Sequence, residues 1–308
     1  MPSLFPLLRS LIDEKRKPAR FIITGSASPE LLKGASESLA RRVKYCQLNP
    51  IGLHELPPAI SMKKHWLRGG FPVPLTMRSN SLRMDWMDSF VTTYIERDLP
   101  LLFDVKFSTV TMRKLWQMLA HSHGQILNAE NLGNALDITG TTLKRYLDFL
   151  EGAFIIYRLP PFFTNIGKRL VKAPKLYTND SGILHFLLSI QNEKDLVNHP
   201  SVGASWEGYV ISQIKYAKDS RLDAFYYRTH AGAECDLVLA KGNSVKAAIE
   251  IKYGKSVVVS KGFYHSIADL KSKNNFVITP FETDYLSQEG VRRVSLDVFI
   301  KKYLPKLE

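Results

Sequence analysis

Apolar residues three and four apart at Leu4, Leu7, Leu8, Leu11 and Ile12 predict an amphipathic helix running to about Lys17. Pro18 closes it. The run Phe21-Ile22-Ile23-Thr24-Gly25 predicts a short buried strand opening into a tight turn. Ser28-Pro29-Glu30 predicts a second helix, with Ser28 as N-cap and Pro29 at its first position. Val43 to Leu48 predicts another strand, ended by the loop signal Asn49-Pro50.

From Ser61 to about Ile190 the pattern is mainly helical. Leu115, Met118 and Leu119 mark one helix. Asn128 is a plausible cap for another, whose Leu132, Ala135 and Leu136 face inward. After the turn Asp137-Ile138-Thr139-Gly140, Leu143, Leu147 and Leu150 form an inner stripe, leaving Thr142, Lys144, Arg145 and Asp148 outward. Two strands follow, Ala153 to Pro160 and Ala173 to Thr178. Helix, short turn, helix, hairpin is the order of a winged helix-turn-helix. From Ser201 onward the order is helix, strands near 224–228, 235–239 and 246–252, a helix near 264–270 and a strand near 275–279. That alternation predicts a mixed α/β layer.

At 308 residues the chain exceeds one small core, and 45% hydrophobic with 23% charged residues is the composition of a globular protein. The formal charge of +13 favours phosphate-rich partners. It equally fits a generally basic surface, so a fold that uses the charge is required. The two cysteines, Cys46 and Cys235, exclude a disulfide framework or a cysteine-based zinc cluster and suit a reducing cytoplasm. Arg9, Asp13 and Glu14 break the N-terminal apolar stretch, which is therefore no signal peptide. No apolar run approaches membrane-spanning length, so no membrane partner is expected.

Arg20-Phe-Ile-Ile-Thr-Gly-Ser-Ala-Ser-Pro-Glu-Leu-Leu, Ser38-Leu-Ala-Arg-Arg-Val, Leu67-Arg-Gly-Gly-Phe-Pro, Tyr94-Ile-Glu-Arg-Asp, Thr142-Leu-Lys-Arg-Tyr-Leu-Asp-Phe-Leu-Glu and Leu170-Val-Lys-Ala-Pro-Lys-Leu-Tyr occur in this order along nearly the whole chain. With them the sequence resembles AAA-type ATPases that carry a large C-terminal conserved domain of unknown function. The resemblance implies three units: an AAA remnant over 1–60, a helical and winged-helix unit over 61–195, and a domain of the PD-(D/E)XK nuclease fold over 196–308. It implies that Thr24 and Ser26 lie on the sensor strand beside a nucleotide's terminal phosphate, and that Arg42 matches the arginine of the Ser-Leu-Ala-x-Arg motif. A P-loop, Gly-x-x-x-x-Gly-Lys-Ser/Thr, is missing. The near miss at Gly254-Lys255-Ser256 has Ile249 in the first glycine's place. ATP is therefore expected to serve only full-length relatives.

Glu207 interrupts the apolar stripe Trp206, Val210, Ile211 and Ile214. A carboxylate there is costly unless paired or bound to metal. Asp236 begins a strand, and Ile249-Glu250-Ile251-Lys252 follows a hairpin later, with Glu250 and Lys252 on one face. Asp, hairpin, Glu-x-Lys is the PD-(D/E)XK arrangement. Glu207, Asp236 and Glu250 are candidate magnesium ligands, with Lys252 beside them to position an attacking water, so all four are candidate catalytic residues. The competing readings are Glu207 paired with a buried lysine and a strand-face salt bridge between Glu250 and Lys252. Glu234 shares the face of Asp236. No convincing glutamine stands on the following helix, where Tyr264-His265-Ser266 is found.

The basic residues between Thr141 and Lys175 are Lys144, Arg145, Arg158, Lys168, Arg169, Lys172 and Lys175. On a recognition helix and wing, Thr142, Lys144, Arg145, Lys168 and Arg169 are the candidate DNA contacts. A protein-docking winged helix is the alternative. Three function classes stand open: a DNA-associated magnesium-dependent nuclease, a DNA- or protein-binding module on a degenerate nuclease fold, and a fragment of an ATPase. Apolar surface in the remnant over 1–60 predicts a protein partner or self-association.

Overall fold

The computed structural model describes residues 4–25, 39, 41–98, 108–163, 167, 169–254 and 258–307. Helix α1 (Leu4–Glu14) forms where the apolar spacing predicts it, and Leu8 is buried. The two strands expected after it are not formed: Phe21–Gly25 and 43–49 are irregular chain. A strand needs a neighbour for its amides and carbonyls. Among the described residues nothing pairs with either segment, and Ile22 and Leu48 remain 86% and 97% exposed. The helix expected from Ser28 lies outside the described residues.

The next region is helical, with α2 (Met62–Arg68), α3 (Pro72–Thr76), and α4 (Asn80–Ser89), which runs on as a π-helical stretch, Phe90–Asp98. Then come α5 (Thr109–His121), α6 (Ala129–Leu136) and α7 (Gly140–Gly152). Side-chain caps set their starts: Asn128 accepts from the Asn131 amide and Thr139 from the Thr142 amide. Asp137, in the left-handed region at φ 54°, ends α6. Met112, Leu115, Trp116 and Leu119 of α5 meet Leu132 and Leu136 of α6 and Leu143, Leu147 and Leu150 of α7 in one core. Ala135, expected to face inward, is exposed, because the buried stripe runs through Leu132 and Leu136. An antiparallel hairpin follows, β1 (Ile156–Leu159) with β2 (Lys175–Thr178), then α8 (Ser181–Leu187) and α9 (Glu193–Asn198).

Helix α10 (Val202–Ala217) precedes a six-stranded sheet. Its strands are β3 (Asp223–Arg228), β4 (Glu234–Lys241), β5 (Ser244–Ile251), β6 (Asn275–Thr279), β7 (Asp284–Leu286) and β8 (Arg292–Ser295), in the order β3-β4-β5-β6-β8-β7. Pairing is antiparallel from β3 to β5 and parallel from β5 through β6 to β8. Helix α11 (Lys261–Leu270) connects β5 to β6. Strand alternation explains the two cores. Leu237, Leu239, Ile249 and Ile251 pack with Trp206, Val210 and Ile211 of α10, whereas Val238, Ala248 and Val277 pack with Phe263 and Leu270 of α11. The whole is a mixed α/β structure.

Several contacts bind the middle of the chain to this layer. Trp66 and Leu67 of α2, with Tyr157 and Tyr177 of the hairpin, belong to the core beneath α10. The motif Leu67-Arg-Gly-Gly lies against Asp180, whose carboxylate accepts from the amides of Gly70 (2.7 Å) and Ile183 (3.1 Å). A side chain at Gly69, φ 77°, would collide with that carboxylate. The connection between β1 and β2 also lies on the outer edge of β3: Phe162 donates to the Tyr226 carbonyl at 2.7 Å, and Val171 to the Arg228 carbonyl at 3.0 Å. These bonds satisfy backbone groups that an edge strand otherwise leaves open.

Candidate functional site

The register that pairs Leu237 with Ile249 carries Asp236 and Glu250 to adjoining positions on β4 and β5, where the β3–β4 pairing shifts register beside Asp236. Both are buried, Asp236 at 7% and Glu250 at 3% exposure. Asp236 Oδ2 accepts from the Ile251 amide at 2.8 Å. Glu250 pairs with Lys252 at 3.2 Å, and its other oxygen accepts from the Ser260 amide, just before α11, at 3.3 Å. Glu207, turned inward on α10, accepts from the Tyr177 hydroxyl at 2.5 Å. The four residues expected to share a site are therefore held in one region of the α/β layer.

At its centre stands a residue the sequence placed elsewhere. Lys175, the first residue of β2, has a side chain only 4% exposed. Its Nζ lies 3.1 Å from Glu207 Oε1, 3.3 Å from Glu234 Oε1 and 3.7 Å from Asp236 Oδ1. Glu207 is thus paired with a buried lysine, and Glu250 with Lys252. Burial works against the charge of Lys175, yet Glu207, Asp236 and Glu234 outweigh it and hold the ammonium above its usual pKa. Burial and the neighbouring charge of Asp236 push Glu207 up to about 7, against the pull of Lys175 and Tyr177. The ammonium is the fixed charge here. Lys252 is likewise held above its ordinary value: burial lowers it, but Asp236 and Glu250 outweigh that.

A magnesium ion does not fit this arrangement. Both oxygens of Glu250 and Oδ2 of Asp236 are engaged by protein donors, and the space among Glu207, Glu234 and Asp236 holds an ammonium. Among the described residues, no group of three or more acidic, histidine or cysteine side chains is arranged to hold a metal ion.

The basic candidates separate. Lys144 and Arg145 are exposed on the outer face of α7, while Leu143, Tyr146 and Leu147 are buried on the inner one. Thr142 is half-buried, and its hydroxyl bonds to Thr139 Oγ1 at 2.9 Å. Arg158 is engaged by Glu151 at 2.7 Å and Asp148 at 2.7 Å, so it is no free phosphate donor. Arg169 and Lys172 are exposed, and Lys168 lies outside the described residues. Of the nucleotide-binding candidates, Thr24 sits in irregular chain and Ser26 lies outside the described residues. Arg42 makes a two-pronged pair with Asp13 of α1, at 2.8 Å for each contact.

Residues 1–56 match an AAA domain family, and 60–194 and 202–299 match two domains of unknown function, DUF8612 and DUF4143. The matches support an AAA-type ATPase-like family with a domain of unknown function. An uncharacterised protein of Mycobacterium bovis and another of Mycobacterium tuberculosis are each 39% identical over 297 residues. That stretch is 96% of this chain and 66% of each relative, so the chain spans just under two thirds of their length. No solved structure matches. Among the described residues, no helix is long and apolar enough to cross a membrane.

The sequence alone did not flag Lys175 as part of the acid cluster. Its signal was a basic residue at the start of an apolar strand, Lys175-Leu-Tyr-Thr, which a register-blind reading assigns to a solvated wing. Glu234, which shares the face of Asp236 in the strand pattern, is a further acid at this lysine.

Proposed function

We propose that the chain is a DNA-binding member of this AAA-type ATPase-like family, meeting a duplex through α7. The observation that carries the reading is the pair Lys144 and Arg145, solvent-exposed beside the capped start of a helix whose other face is buried, in a chain of charge +13. Such a helix presents cations to phosphates while its core face fixes its orientation. On this reading α5, α6, α7 and the β1–β2 hairpin form a winged helix, Arg169 adds a contact, and 196–308 is a nuclease-like scaffold used for binding. A protein partner in place of DNA is the competing outcome. The sequence contains no P-loop, so we propose that this chain alone turns over no ATP. Magnesium-dependent phosphate release by the purified chain would contradict that.

The test is fluorescence anisotropy with a labelled duplex, repeated over a range of salt. Lys144→Glu with Arg145→Glu should weaken binding by more than about tenfold and lower the salt slope by about 2, near 0.9 per lost phosphate contact. Unchanged affinity and slope in the double variant would remove α7 from the interface. A magnesium-dependent nuclease is the outcome this reading excludes, because Lys175 stands among Glu207, Glu234 and Asp236. Magnesium-dependent cleavage of DNA that Asp236→Ala abolishes would restore it.

A further inference from the structure

A buried ammonium is costly unless its partners are well placed, and Lys175 has three of them. Two come from β4, Glu234 and Asp236, and one from α10, Glu207. The ring of Tyr226 lies 5.7 Å from the same nitrogen. These contacts, 3.1 to 3.7 Å long, are those of an ammonium among carboxylates. Lys175 also belongs to the hairpin and not to the sheet that supplies the acids: it pairs with Leu159 across β1 and bridges Ile126.

We infer that Lys175 is the resident cation of the acid cluster. The chain supplies its own fixed positive charge at the position a metal-dependent site gives to a divalent ion. The same contact fastens the β1–β2 hairpin to the C-terminal sheet, alongside the backbone bonds between 162–171 and β3. The hairpin and the sheet are therefore joined by charge as well as by the apolar core that Tyr177 and Trp206 share. The inference is independent of the DNA reading, since neither Lys144 nor Arg145 takes part in it.

Lys175→Met keeps the apolar stem and removes the charge, leaving Glu207, Glu234 and Asp236 to repel one another. At pH 8 its melting temperature should fall by about 5–10 °C. Adding Glu207→Gln should restore at least half of that loss, because one uncompensated carboxylate is gone. In Lys175→Ala, where the position is vacated, millimolar manganese should raise the melting temperature, whereas the wild type should not respond. If Lys175→Met does not accumulate as folded protein, the double variant carries the test. A folded Lys175→Met/Glu207→Gln protein with wild-type circular dichroism supports the inference, and its failure to fold overturns it. A Lys175→Met protein as stable as the wild type overturns it too. So does a wild type stabilised by manganese through Asp236.

Discussion

Two apolar stretches of this chain meet opposite fates. Phe21-Ile22-Ile23 and Leu237-Val238-Leu239 are equally hydrophobic three-residue runs. The second is fully buried, at 0% exposure for each residue, between β3 and β5 and between two helices. The first lies in irregular chain with Ile22 86% and Ile23 50% exposed. The difference is not in the residues. A strand is a relation between neighbours, and the β4 run has a partner on each side whereas the 21–25 run has none among the described residues.

This contrast predicts unequal costs. Trp206→Ala, which empties the centre of the α10 core, should destabilise by about 3–5 kcal/mol, and Leu237→Ala by about 2–5 kcal/mol, in chemical denaturation. Ile22→Ser or Leu48→Ser should change stability by no more than about 0.5 kcal/mol. Both should reduce self-association in light scattering, because they shrink an exposed apolar surface. A loss above about 2 kcal/mol in Ile22→Ser would show that this segment is packed and would break the comparison.

Ionisation sharpens it on a smaller scale. Burial lowers His65 and His185 to about 4 and His123 to about 3. Folded values below the unfolded one mean that their contribution is complete above about pH 6.5 and is lost as pH falls through the folded values. Their neutral rings are held by specific bonds: His65 Nδ1 lies 2.8 Å from the Tyr209 hydroxyl, and His185 Nε2 lies 2.6 Å from Ser205 Oγ. Glu207, raised from 4.5 to about 7, and Asp180, raised from 3.8 to about 6, have the opposite sign. Their contribution is complete below about pH 4 and is lost as pH rises through 6 to 7. Melting temperatures should therefore fall for the wild type between pH 6.5 and 4. Glu207→Gln should gain on the wild type as pH rises from 4.5 to 7, by about 1–3 kcal/mol at the upper end. A difference between the two that does not vary with pH would remove Glu207 from the titrating set.

Much of the α/β layer was legible because strand alternation and helix caps are local. The stretches near 224–228, 235–239 and 246–252 became β3, β4 and β5, and Asn128 became the cap of α6. Asp236, Glu250 and Lys252 could be grouped because one hairpin sets their separation. What could not be read depends on contacts far apart in sequence. Lys175 reaches Glu207 across 32 residues and Asp236 across 61, and nothing near Lys175 distinguishes a plug from a surface lysine. Arg158 is held by Asp148 and Glu151, which only the fold sets beside it. The glycines of Leu67-Arg-Gly-Gly carry a packing role, the close approach to Asp180, that no local pattern announces. The strand expected over 21–25 failed for the same reason, since its partner had to come from elsewhere.

The acid cluster, closed by its own lysine, is the feature on which the account turns, and a manganese titration followed by electron paramagnetic resonance addresses it directly. With wild-type protein at pH 8, the free-ion signal should remain undiminished, because Lys175 holds the position among Glu207, Glu234 and Asp236. Loss of one equivalent of free manganese per chain, reversed by Asp236→Ala, would contradict the account and return the cluster to a metal site.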